Sequence, residues 1–112
     1  MRRQRPRPET ATIVYVTASS RREARFIGRT LVEERLAACA NVLGAIDSVY
    51  RSQGKVETAR EALLILKTTT RLFRRMTKRI RELHSYDCPC IVSLPISGGD
   101  QAYLDWLSES VK

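Results

Sequence analysis

Histidine is almost missing from this chain: 112 residues hold one, His84. A Ser/His/Asp arrangement would need that histidine beside a particular serine, and no Gly-x-Ser-x-Gly elbow exists. The five glycines form neither Gly-x-Gly-x-x-Gly nor a P-loop, so nothing in the sequence points to a nucleotide cradle. Ala18-Ser19-Ser20-Arg21-Arg22 is polar but lacks the glycines of a phosphate-binding loop after the first strand. No complete catalytic set results, and an enzyme is not expected. Apolar runs are short, as in Ala62-Leu63-Leu64-Ile65-Leu66. A membrane span needs about 20 apolar residues, so none is expected. The basic start, Met1-Arg2-Arg3-Gln4-Arg5, has no apolar stretch after it, unlike a secretion signal. A cytoplasmic protein is therefore expected. Three cysteines (Cys39, Cys88, Cys90) cannot all pair within one chain, and they lack Cys-x-x-Cys spacing. In a reducing compartment they read as thiols.

What is abundant is positive charge: 20 basic against 12 acidic residues, a formal +8. Arg2, Arg3, Arg5 and Arg7 lie in residues 1–10, which read as a disordered, solvated tail. Residues 11–112 read as one domain, since two would each be too small for a good core. Six more basic residues fall between Arg71 and Arg81. Such a run is most often a solvated helix face.

The apolar pattern alternates between two periods. Ala11 to Thr17 is β-branched and apolar on both faces, as in a central strand. Ser20-Arg21-Arg22-Glu23 matches a capping box, and Ala24, Ile27, Leu31, Val32 and Leu36 follow at helical spacing. Ala38 to Tyr50 is strand-like, with Gly44 as a bend or bulge. Ser52 to Lys55 is a turn, and Val56 to Thr69 returns as a long second arm. Thr70 is a candidate cap for a helix with the stripe Leu72, Phe73, Met76, Ile80 and Leu83. After Pro89, residues 91–96 form a strand. Asp100 then caps a short helix expected to turn Tyr103, Leu104, Trp106 and Leu107 inward. The order β-α-β-β-α-β plus a terminal helix is the α+β ferredoxin-like arrangement. Residues 63–66 are apolar on both faces, and the domain's helices can cover only one. Another copy of the chain is the simplest cover for the other.

The RNA-recognition module shares this topology but presents aromatics on its central strands. Here those strands offer only Tyr15, so nucleic acid is not the expected partner. Soft metal binding is the remaining chemistry. His84, Cys88 and Cys90 are closely spaced around Pro89, and thiolate with imidazole suits copper, zinc or another soft ion. These three read equally well as ordinary loop residues. Cys39, flanked by Ala37, Ala38 and Ala40, reads as a small core residue.

Several segments together resemble one family. They are Thr17, Arg29 through Leu36-Ala37-Ala38-Cys39-Ala40-Asn41-Val42, and Ser48-Val49-Tyr50-Arg51-Ser52-Gln53-Gly54-Lys55-Val56. Glu61 through Lys67-Thr68, His84-Ser85-Tyr86-Asp87-Cys88-Pro89 and Tyr103-Leu104-Asp105-Trp106 complete the set. In this order they resemble the CutA divalent-cation tolerance family. The resemblance implies a cytoplasmic ferredoxin-like homotrimer, similar to the PII signalling proteins, with long hairpins packed between subunits. It implies tolerance of copper and other divalent cations, with metal contacts at Cys39 and His84. By analogy with PII it implies an inter-subunit pocket for a small anionic ligand, to which Arg29 and Lys67 could lend positive charge. The chain departs from the family pattern in four places. Ser52 stands where tryptophan is usual, and Ser85 where proline is. Cys88 and Cys90 stand where valine or threonine and glutamate are common. Sulfur in place of a hard oxygen favours Cu(I) or another soft ion, so the expected metal set is Cys39, His84, Cys88 and Cys90.

Overall fold

The computed structural model describes residues 10–112; the expected basic tail lies, apart from Thr10, outside the described residues. Elements follow the expected order: β1 (Ala11–Ala18), α1 (Arg21–Glu33), β2 (Cys39–Ser52), β3 (Lys55–Thr69), α2 (Phe73–Leu83), β4 (Ile91–Pro95) and α3 (Gln101–Ser110). The sheet runs β2-β3-β1-β4, with every neighbouring pair antiparallel. This is the ferredoxin-like α+β fold. Pro95, which has no N–H for a ladder, lies on the edge strand β4.

Strand parity divides the sheet into two faces. Val14, Val16, Leu64 and Leu66 are fully buried against the helices, where Ile27, Leu31, Met76 and Ile80 meet them. Each such side chain contributes about 1.5–3 kcal/mol by leaving water. Gly28 lets α1 approach the sheet. A Cβ there would stand 2.9 Å from the Ala40 Cβ and 3.0 Å from Leu64 Cδ1. On the face opposite α1 and α2, Ile13, Tyr15, Leu63 and Ile65 are half-buried, and α3 reaches this face at Lys67 through Tyr103. Leu43, Val92 and Leu94 are respectively 51%, 50% and 52% exposed.

β2 and β3 form a hairpin that outruns the sheet. β1 pairs with β3 only from Thr69 back to Ala62, while the hairpin continues to the pair Ser52–Lys55. Gln53 and Gly54 both have positive φ, 49° and 78°, as a tight two-residue hairpin turn requires. The register shift between Leu43 and Ala45 is the bulge expected at Gly44. The projecting ribbon accounts for extents of 63 × 27 × 24 Å.

Helix ends refine the sequence reading. Ser20 accepts from the Glu23 amide at 3.1 Å, as expected of a cap. Glu23 does not return the bond to Ser20; it binds Ser19 instead. α1 stops at Glu33 because Arg35 turns left-handed (φ 61°), and the Leu36 and Arg35 amides bond back to Leu31 and Val32. Leu36 is therefore buried from a loop rather than from the helix. The Arg35 guanidinium donates to the carbonyls of Glu109 and Ser110 at the end of α3. That places a cation at a helix C-terminus. Thr70 does not cap α2. It opens a 3-10 turn, Thr70–Leu72, and its hydroxyl donates to the Thr10 carbonyl. Asp100 caps α3 through the Tyr103 amide. Only Leu107 of that helix is fully buried. Tyr103 and Trp106 remain 39% and 45% exposed, against the expected inward stripe.

Candidate functional site

The segment after α2 is pinned to three separate elements. His84 is 8% exposed, and its Nε2 lies 2.8 Å from the Thr17 carbonyl on β1. A carbonyl only accepts, so Nε2 carries the proton. Nδ1 accepts from the Tyr86 amide at 3.1 Å. Both ring nitrogens are thus engaged within the chain. The next amide, Ser85, donates to Glu23 Oε2 on α1 at 2.8 Å. The Tyr86 hydroxyl then donates to Glu61 Oε2 on β3 at 2.8 Å, and its ring stacks at a tilt on His84, 4.7 Å between centroids.

These bonds set the local electrostatics. Partial burial disfavours ionisation of Glu23. Hydrogen bonds from Ser85 and Ser19 outweigh that and hold its carboxyl at about 2, below the usual 4.5. Burial, the bond to Glu61 and the Glu61 charge push the Tyr86 phenol up to about 12. Burial and the same carboxylate push the Cys90 thiol up.

Held this way, the loop carries Cys88 and Cys90 beside Tyr15 and Glu61, on the sheet face opposite α1 and α2. There they border a hollow of about 680 Å³ with Tyr15, Tyr50, Glu61 and Tyr86. Both cysteines are exposed free thiols. A second hollow, of about 780 Å³, is lined by Arg21, Arg25 and Arg29 of α1 with Phe26, Cys39 and Trp106. Cys39 is half-exposed rather than a core residue, and its thiol lies 3.7 Å from Asn41 Oδ1. Lys67 is paired across the ladder from Cys39, and its Nζ sits 5.6 Å over the Tyr103 ring. Arg29 pairs with Glu33 at 2.7 Å.

The expected metal set is thereby divided. Cys88 and Cys90 share one hollow, Cys39 borders the other, and His84 has no free lone pair. Among the described residues, no three His, Cys, Asp or Glu side chains gather as a cluster that could hold a metal ion. Arg29 and Lys67 do not line a common hollow within one chain. The sequence reading gave no role to the Glu61–Tyr86 pair, and it placed Glu23 in a capping box rather than against Ser85. A signal for Glu61 was available, because it is the charged residue that interrupts β3 just before the apolar run 62–66.

The structure defines a ferredoxin-like α+β protein with two exposed free thiols on the loop before β4. Residues 12–110 match the family model described as CutA1 divalent ion tolerance protein, and the chain belongs to that family. The divalent-cation tolerance protein CutA of Thermus thermophilus is 48% identical over 98 residues, 88% of this chain and 95% of that protein. The chloroplastic CutA protein of Arabidopsis thaliana is 41% identical over 89% of this chain, which spans 55% of its length. Among solved structures, CutA1 of Oryza sativa superposes with a TM-score of 0.91 at 38% identity, covering 94% of this chain and 96% of that one. The Thermus thermophilus protein superposes with a TM-score of 0.89 at 46% identity, covering 91% and 99%.

Proposed function

We propose that this protein is a cytoplasmic homotrimer that binds copper or another soft metal ion and serves tolerance of, or response to, metal ions. The observation that carries this reading is the sheet face opposite α1 and α2, where Leu43, Val92 and Leu94 are exposed, with two free thiols at its rim. Apolar surface of that extent calls for a partner, and a two-stranded ribbon is only marginally stable in water by itself. A second copy of the chain supplies the same apolar face and the same projecting ribbon. Cytoplasmic reducing conditions suit three unpaired cysteines. No helix among the described residues is long and apolar enough to cross a membrane. No catalytic step is assigned. Mass spectrometry of the intact assembly, as isolated and after exposure to copper, tests the reading. Three subunits with retained metal are expected. A folded monomer that takes up no metal would overturn it.

A second reading is a PII-like signalling module that takes a small anionic ligand in an inter-subunit cleft. It is favoured by the hollow beneath Arg21, Arg25 and Arg29, with Lys67 on the strand beside it. In this reading the same mass spectra carry a small acidic molecule instead of a metal.

A further inference from the structure

We propose that Cys88 and Cys90 form a two-coordinate thiolate clamp that takes one thiophilic d10 monovalent ion, Cu(I) or its analogue Ag(I), per chain. This rests on the soft-metal reading above and specifies its ligands, coordination number and ion class.

Donor count carries the inference. Structural zinc needs four ligands, and Ca(II) or Mg(II) needs about six oxygens. Neither set is available, since no cluster of three candidate donors exists among the described residues. Glu61 Oε2 accepts from the Tyr86 phenol, and the other oxygens of the hollow are hard donors that suit a soft ion poorly. Both nitrogens of His84 are occupied. Two sulfurs remain, and two thiolates complete the linear shell that Cu(I) and Ag(I) accept. Softness points the same way.

Geometry agrees. Cys88 and Cys90 flank a single residue and border the same hollow. The chain bends at Cys88 just before Pro89, and both cysteine side chains still line that hollow. The segment lies outside helix and strand, so both thiols can adjust to an ion. Upstream, the bonds from His84, Ser85 and Tyr86 hold the loop in place. His84 is therefore a positioning residue. On binding, both S–H bonds break, both S–Cu bonds form and both protons go to solvent. Copper remains Cu(I) throughout, so no reductant or oxidant is consumed.

Anaerobic titration of Cu(I) against the chelator bicinchoninate tests the clamp. The wild type should keep one Cu(I) per chain. Cys88→Ser and Cys90→Ser should each weaken it by at least about 100-fold, since outer-shell changes alone cost up to that much. Wild-type Cu(I) affinity in either variant would overturn the clamp, as would displacement of Cu(I) by equimolar Zn(II). A readout without mutation is alkylation mapping of the intact protein with Ag(I) present. Ag(I) should shield Cys88 and Cys90 and leave Cys39 reactive. Shielding of Cys39 instead would remove the clamp while leaving the general metal reading intact. Absence of any bound metal in both assays would remove both.

Discussion

Replacing Ile65 by aspartate should dismantle the assembly and leave each subunit folded. Ile65 sits on β3 between Tyr15 of β1 and Asn41 of β2, half-buried on the face opposite α1 and α2. In a lone subunit the new carboxylate would stay in contact with water, and the cost should stay within about 1 kcal/mol, the span of strand preferences. In a closed trimer it would be buried without a partner, at about 3–5 kcal/mol per copy. The three copies together give roughly 10 kcal/mol, or about 10⁷-fold in the assembly constant. Its neighbour Leu64 supplies the contrast, because it points to the opposite face and is fully buried under the helices. Leu64→Ala should cost about 3–5 kcal/mol of folding stability through its cavity. At roughly 4 °C per kcal/mol, melting should fall by about 10–20 °C. Sedimentation velocity and thermal melting at one fixed protein concentration separate the outcomes, since assembly itself raises apparent stability. An Ile65→Asp protein that still sediments like the wild type would refute the interface. So would a Leu64→Ala protein that dissociates with unchanged melting.

The bonds that hold the thiol loop make further predictions. The Glu23 carboxyl is depressed from 4.5 to about 2, so its contribution is complete above pH 4.5 and disappears as pH falls toward 2. The full shift would correspond to roughly 3 kcal/mol, but solvent screening at this partly exposed site reduces that to about 1 kcal/mol. Urea unfolding at successive pH values should therefore lose about that much on acidification in the wild type and less in Glu23→Gln; parallel curves would exclude the role. The Tyr86 phenol, raised to about 12, contributes stability below pH 10 that is lost as pH climbs through 12. In ultraviolet titration one tyrosine should ionise late, and Tyr86→Phe should abolish that step and lower stability by about 1 kcal/mol. Gly28→Ala should drive its methyl into Ala40 on β2 and cost about 1–3 kcal/mol. Ala40→Gly should restore much of that in the double variant; additive losses would mean the two sites do not touch.

Much of the fold was legible because it follows from local period and punctuation. The β-branched run in residues 11–17, the 3.6 spacing after Ser20 and the Gln53-Gly54 turn each specify one element, and antiparallel neighbours with short connections restrict how they can be arranged. The misreadings fall where local preference met a competing contact. Thr70 has the right side chain for a cap, but its hydroxyl goes to Thr10. Arg35 ends α1 in a conformation disfavoured for a side chain by about 1–2 kcal/mol, held there by the carbonyls of α3, which lie more than seventy positions away. The thiol loop was only partly legible for the same reason. Its spacing revealed two cysteines around a proline, but its supports, Glu23 and Glu61, sit sixty-two and twenty-five positions from the residues they hold.

The apolar character of β3 on both faces carries two kinds of information that sequence periodicity merges. Leu64 and Leu66 are buried within the fold of one chain, and Leu63 and Ile65 are the residues that the proposed assembly would cover. A residue-by-residue shift in facing, set by strand geometry alone, separates folding from assembly on one stretch of backbone. The thiol loop borders the second of these faces while its supports are rooted in α1, β1 and β3. In the proposed trimer, metal capture would respond to assembly without disturbing the core: a subunit closing over Tyr15 and Tyr50 would change the walls around Cys88 and Cys90, while the bonds of His84 and Tyr86 stay within the chain. A Cu(I) affinity that differs between wild type and the dissociated Ile65→Asp protein, with both loops intact, is the expected consequence. Equal affinities would make the clamp a property of the single chain.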